Sequence, residues 1–265
     1  MSVKYAFDHG KAFVPFITCG DPDLETTEKL IFALERAGAD LIELGIPFSD
    51  PTAEGPVIQS ANLRALSRGV TTDQIFDMVR NVRKKTSIPL VFMTYANVIF
   101  SYGTERFCKT ASEIGMDGII LPDVPWEEKE EFASVCKQFG LDFISLIAPT
   151  SQSRISKIAA EAHGFIYCVS SLGVTGVRSA ITSDIGSMVN VAKQSSPLPV
   201  AVGFGISTPE QAAQMAMHAD GVIIGSAIVS LIAQYGKQAV EHVYAYAKSI
   251  KSAIAEVSVP ESSVQ

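Results

Sequence analysis

Two carboxylates and three runs of small residues are the parts of this sequence equipped to do chemistry. Glu43 interrupts an apolar run, Leu41–Gly45. An acid placed there loses several kcal/mol of hydration unless it is solvated or paired. One reading makes Glu43 a buried carboxyl satisfied by backbone donors or a basic partner. The other makes it a proton-transfer group whose apolar setting favours the protonated form. Glu54 follows eleven residues later, in a Pro- and Gly-bearing loop able to bring it back over the same place. Taken alone, Glu54 reads as an exposed loop charge.

The small-residue runs are Ser170–Gly176, Gly203–Pro209 and Gly225–Ala227. Where side chains are small, backbone N–H groups can approach an anion, and the start of a helix adds a favourable dipole. One glycine in a turn is structural by default, but three such loops in succession point to a phosphate. Gly203-Phe204-Gly205 is not a dinucleotide fingerprint, because the third glycine is absent and Thr208-Pro209 opens the helix instead. Cys19, Cys108, Cys136 and Cys168 form no CxxC pair and no Cys/His metal spacing, so they read as reduced thiols. No metal is expected.

The elements that must position these groups alternate along the chain. Apolar runs appear at Ala12–Thr18, Leu41–Gly45, Pro89–Met93, Gly118–Leu121, Leu141–Ile147, Gly164–Val169, Pro199–Gly203 and Asp220–Ile224. Between them lie segments with helical spacing, such as Glu25–Ala37, Asp73–Lys84, Glu127–Phe139 and Pro209–Ala216. Glycines such as Gly38, Gly115 and Gly140 stand where helices should stop. Eight strand–helix units with continuously apolar strands predict a parallel sheet buried on both faces. The count favours an α/β fold of the (β/α)8-barrel type with small extra helices; an open doubly wound sheet is the alternative. In a barrel the loops after the strands carry the chemistry, and a phosphate site after strands seven and eight recurs. Gly225-Ser226 opening a short helix, Ala227–Gln234, fits that place.

Composition sets the bounds. The 265 residues match one barrel, and 47% hydrophobic residues can fill its core. We expect one domain over residues 1–256, closed by a helix at Lys237–Glu256, and a disordered tail over 257–265. A net charge of −7 argues against nucleic-acid and anionic-membrane surfaces. The longest apolar run, Gly221–Ala233, is too short to span a bilayer, and the first residues lack an export signal, so a cytoplasmic protein is expected.

Up to this point, isomerases, aldolases and lyases acting on phosphorylated small molecules all fit. A Schiff-base aldolase is disfavoured, since no strand run ends in Lys. The stretch Ile42–Gln59 narrows the field, because it resembles the signature of the tryptophan synthase α-chain family. The likeness extends to Phe13–Thr18 with Gly20-Asp21-Pro22, Tyr95-Ala96-Asn97, Asp123-Val124-Pro125, Gly173–Gly176 and Gly203–Ser207.

The resemblance implies a lyase that splits indole-3-glycerol phosphate into indole and glyceraldehyde 3-phosphate at the last stage of tryptophan biosynthesis. It makes Glu43 the general acid/base and Glu54 the carboxylate that accepts the indole N–H. Position 54 is more often Asp in the family, so the carboxylate here reaches one methylene further. By the same resemblance Tyr167 lies near the substrate, Thr175 helps to close the site, and Gly176, Phe204, Gly205, Gly225 and Ser226 bind phosphate. Phe16 and Tyr95 join the apolar wall around indole, or else pack in the core.

The family also works in an α2β2 assembly with a tryptophan synthase β subunit, which holds pyridoxal phosphate; no cofactor is implied for this chain. The loop Asp50–Ile58 and the region Tyr95–Gly103, with Val98, Ile99, Phe100 and Tyr102, resemble the surfaces that meet β. Two rivals stay open: a non-catalytic barrel that only regulates a β partner, motivated by Glu at position 54, and another barrel enzyme on a phosphorylated substrate.

Overall fold

A computed structural model describes residues 3–169, 178–203 and 205–257, with the side chains of 178–184 left aside. Nine parallel strands form one sheet: β1 (Ala12–Thr18), β2 (Ile42–Gly45), β3 (Leu90–Met93), β4 (Gly118–Ile120), β5 (Asp142–Phe143), β6 (Ser145–Ile147), β7 (Ile166–Val169), β8 (Val200–Gly203) and β9 (Gly221–Ile224). The sheet order runs β5-β4-β3-β2-β1-β9-β8-β7-β6. Its two edges, β5 and β6, are separated by Ile144 alone, whose N–H donates to the Ile119 carbonyl at 2.9 Å. The sheet therefore closes on itself as a barrel. The eight expected strands are all present, with one correction: the fifth is broken at Ile144, one half pairing with β4 and the other with β7.

Eleven α-helices surround the strands among the described residues. They are α1 (Leu24–Arg36), α2 (Pro56–Ser67), α3 (Thr72–Arg83), α4 (Ala96–Tyr102), α5 (Thr104–Glu113), α6 (Glu130–Gln138), α7 (Gln152–Ala160), α8 (Arg178–Ser195), α9 (Pro209–Ala216), α10 (Ser226–Tyr235) and α11 (Ala239–Ala255). The expected helix Glu127–Phe139 is shorter than the spacing suggested: a 3-10 turn, Trp126–Glu128, precedes α6. The expected tail lies outside the described residues, apart from Val257.

Strand alternation sorts the side chains into two layers. Phe13 and Ile17 of β1, Ile42 and Leu44 of β2, and Ile166 and Cys168 of β7 join the large core between strands and helices. Val14, Val91, Ile120, Ile144, Tyr167, Ala201 and Ile223 fill the barrel interior. Because Ile42 and Leu44 point outward, the period of two turns Glu43 inward. At the lower end Val3 and Ala6, on a short 3-10 turn, plug the interior.

That lower end is also tied by acids that stand just before strands. Asp40 accepts from the Phe13 N–H at 2.7 Å and Asp117 from the Leu90 N–H at 2.9 Å. Asp220 accepts from the Val200 N–H at 2.9 Å. Each has a basic partner: Lys251 at 2.7 Å from Asp40, Arg83 at 2.8 Å from Asp117 and Lys193 at 2.7 Å from Asp220. These bonds fix the strand ends opposite the mouth, leaving the loops of the mouth free for chemistry.

Candidate active site

At the mouth a cavity of about 240 Å³ is lined by Glu43, Glu54, Phe16, Tyr167, Gly205, Gly225 and Ser226, with Met93, Ile206 and Ser207 beside them. Glu43 is 0% exposed, and neither of its carboxyl oxygens has a hydrogen-bond partner among the described residues. Burial alone pushes its pKa up to about 8. Among the described residues, neither backbone nor a basic side chain satisfies this carboxyl. A group in this state holds its proton at neutral pH and can surrender it to a neighbour within reach.

Glu54 approaches from another wall. It stands in the loop before α2, which begins with Gly55 as N-cap and Pro56 in its first turn. Proline at that position suits a helix start, since its missing N–H would have had no partner. Burial lifts the Glu54 carboxyl to about 7, against the pull of a hydrogen bond from Asn62. The Asn62 amide nitrogen donates to Glu54 Oε2 at 2.7 Å. The loop is held twice more: Gln59 Nε2 donates to the Glu54 carbonyl at 2.8 Å, and the Ala53 N–H donates to Tyr95 Oη at 3.2 Å.

Two glycines make room for aromatic rings. A Cβ on Gly45 would stand 2.5 Å from the Phe16 ring, and one on Gly203 would stand 2.6 Å from Tyr167 Oη. Tyr167 lies on β7, and burial with the nearby Glu43 carboxyl keeps its phenol firmly protonated.

The far wall is built for an anion. No side chain among the described residues caps α10, whose N-terminus faces the cavity through Gly225, Ser226 and Ala227. The first N–H groups of such a helix lack partners within it and carry the positive end of its dipole. In contrast, α9 is closed by a capping box between Thr208 and Gln211. Gly205 has φ +47°, and a Cβ there would meet nothing within 4 Å, so the backbone lies open beside the cavity.

A second cavity of about 390 Å³ adjoins the first, sharing Ala53, Met93 and Tyr167 with it. Leu121, Val124, Ile144, Leu146 and Val169 make it largely apolar. Among the described residues no group of three or more His, Cys, Asp or Glu is placed to hold a metal ion. The four cysteines are free and buried. No described helix is long and apolar enough to cross a membrane.

Residues 4–255 match the family model described as "Tryptophan synthase alpha chain". The chain belongs to the tryptophan synthase α-chain family. The tryptophan synthase α chain of Lacticaseibacillus casei is 49% identical over 248 residues, covering 94% of this chain and 93% of that one. That of Geobacter sulfurreducens is 52% identical over 226 residues, covering 85% and 86%. Among solved structures, tryptophan synthase subunit α of Legionella pneumophila superposes with a TM-score of 0.88 at 39% identity, covering 96% of this chain and 99% of that one. A chain of the tryptophan synthase α2β2 complex of Pyrococcus furiosus superposes at 0.85 with 36% identity, covering 92% and 98%.

Seven of the residues named from sequence line one cavity: Glu43, Glu54, Phe16, Tyr167, Gly205, Gly225 and Ser226. Tyr95 does not line it. That residue is 2% exposed and stacks on Phe48 at 5.2 Å, so it acts behind the loop rather than in the wall. Thr175, Gly176 and Phe204, and most of the loop 170–184, lie outside the described residues. The apolar cluster after β3 is split: Ile99 is buried, Phe100 is exposed and packs on Phe132, and Val98 and Tyr102 are half-buried. Sequence reasoning missed Asn62, Gln59, Met93 and Ser207. Asn62 had a signal, since it is a polar residue on the helix face that also carries Ile58, Ala61 and Ala65.

Proposed function

We propose that this chain is a tryptophan synthase α subunit whose cavity cleaves indole-3-glycerol phosphate into indole and glyceraldehyde 3-phosphate, and that residues 1–256 form one barrel domain. The observation that carries the reading is Glu43: a fully buried carboxyl with no partner among the described residues, facing a cavity whose other walls hold a second carboxyl and a helix N-terminus that no described side chain caps.

The phosphate rests on the start of α10 and the open backbone at Gly205, where N–H groups and the helix dipole favour negative charge. By the family resemblance, Gly176 and Phe204 are further phosphate-binding positions and Thr175 is a residue that helps to close the site; all three lie outside the described residues. The indole ring lies between Phe16, Met93 and Tyr167 and extends toward the second, apolar cavity. Glu43, protonated at neutral pH, delivers its proton to C3 of indole. The ring becomes cationic, and the Glu54 carboxylate, accepting the ring N–H, stabilises that charge. The hydroxyl on the adjoining carbon then loses its proton, to Glu43 in its new carboxylate form. The C–C bond breaks, its electron pair returns to the ring, and the aldehyde departs. Each proton is accounted for, and Glu43 ends as it began.

The chain itself uses no cofactor. Pyridoxal phosphate belongs to a β subunit in an α2β2 assembly, which accepts indole; the loop Asp50–Ile58 and the region Tyr95–Gly103 face it. The protein acts in the cytoplasm. Substituting Glu43→Gln tests the assignment: the variant should fold and bind substrate, yet lose about 10²–10⁴-fold in turnover. A variant that kept a tenth of the activity would remove Glu43 from the chemistry.

A further inference from the structure

Glu54 does not stand alone in its loop, and the residue that reaches it comes from the next element. Asn62 lies on the second turn of α2, eight residues after Glu54, and is 3% exposed. Its neighbours on that buried face are Ile58, Ala61 and Ala65. An amide in such company loses its hydration and must recover it within the protein. Its only hydrogen bond among the described residues goes to Glu54 Oε2, at 2.7 Å. The other oxygen, Oε1, bonds no described residue.

We propose that Asn62 is the positioning residue of Glu54: its amide fixes one carboxylate oxygen and so reserves the other for the ring N–H of the substrate. This inference rests on the reaction assigned above. The donor sits on a helix rather than on the loop, which matters for precision. The helix is packed against β1 and α10, so the carboxylate is aimed by a rigid part of the barrel.

The same bond bears on charge. Burial drives Glu54 toward its neutral form, and the Asn62 amide opposes this. A neutral carboxyl could still accept a hydrogen bond but would give little support to a cationic ring. The other titratable groups around Glu54 are Glu43 on β2, Tyr167 on β7 and Tyr95 ahead of α4. None is a cation. Arg64, on α2, is engaged by Asp21, with 2.8 and 2.7 Å bonds to its two oxygens. Beside the start of α2, whose dipole also favours negative charge, Asn62 is therefore the one described side chain that favours the ionised form of Glu54.

The test uses Asn62→Leu, which keeps the volume and removes the donor, and Asn62→Asp, which replaces the donor by an acceptor. Two readouts are taken. The first is the pH profile of kcat/KM for release of glyceraldehyde 3-phosphate, whose acid limb belongs in part to Glu54. The second is the titration of the Glu54 side-chain carboxyl by carbon NMR in the free full-length protein, assigned through Glu54→Gln. In Asn62→Leu both should move alkaline by about one pH unit. In Asn62→Asp they should move at least as far. The substrate phosphate titrates alike in every variant and cannot produce the difference.

An acid limb that stays in place while activity falls equally at all pH values would overturn the proposal and leave Asn62 a packing residue. So would an unmoved carboxyl titration in a folded variant. If Asn62→Leu fails to fold, Asn62→Asp carries the test. Wild-type protein that released no product at any pH would instead remove the assigned reaction, and the NMR titration would still decide whether Asn62 governs Glu54.

Discussion

Glu43 owes its properties to a conflict at a single position: a hydrophilic group placed where strand alternation allows only the barrel interior. Its carboxyl is pushed up to about 8, whereas an unfolded chain leaves a glutamate near 4.3. Between those values the folded state keeps a proton that the unfolded state has lost. Stability contributed by this group is therefore full below about pH 4 and declines as pH rises toward 8. Relative to Glu43→Gln, the wild type should lose roughly 1 kcal/mol for each pH unit in the middle of that window and less near pH 8, read from urea unfolding at pH 5, 6, 7 and 8. A difference that stays flat with pH would mean that Glu43 is ionised in the folded protein. At the opposite wall, Gly205→Val places a branched side chain at a φ of +47° where the open backbone should meet phosphate. The Michaelis constant should rise about tenfold or more, with the far-ultraviolet dichroism unchanged. An unchanged constant would move the phosphate elsewhere. Chemistry of this kind was partly legible from residues alone: an acid inside β2 is rare enough to be noticed. Asn62 was harder, because its role depends on the loop folding back against the helix that follows.

Secondary elements were legible where period and punctuation agreed. The spacing of Pro209–Ala216, with Thr208 before it, is reproduced residue for residue as α9. The break at Ile144 was not legible, since Leu141–Ile147 reads as one apolar run and only the closure of the barrel requires it to serve two neighbours. The acids before the strands were equally silent. Asp40 and Asp117 follow helix-stopping glycines and look like turn residues, yet each bonds the backbone of another strand. These partners lie 27 residues away in both cases, beyond the reach of any local pattern. Asp117 joins three parts, accepting from the Leu90 N–H and from Arg83, which also donates to the Gly115 carbonyl. Asp117→Ala should therefore destabilise the protein by about 2–4 kcal/mol in urea unfolding. Its effect on kcat at low temperature should be small, because the bond lies at the end of the barrel away from the mouth. A loss under about 0.5 kcal/mol, the range of an ordinary surface change, would show the strand ends to be held by other means.

For the molecule as a whole, the barrel divides labour between its ends. One end is stapled by acids and plugged by Val3 and Ala6; the other gathers Glu43, Glu54, the start of α10, which no described side chain caps, and two adjoining cavities. The family was legible from the signature around Ile42–Gln59, and the closed sheet agrees with the count of eight units. The placement of Tyr95 behind the loop was not, because stacking on Phe48 depends on how two loops meet. This arrangement should cleave indole-3-glycerol phosphate, and do so as one half of a pair. The measurement that tests it most directly is release of glyceraldehyde 3-phosphate from that substrate, by this chain alone and after adding a tryptophan synthase β chain. Measurable release by the chain alone and a faster rate with β are the expected results. No release in either case by a folded chain would contradict them, leaving a regulatory barrel or an enzyme for another phosphorylated substrate.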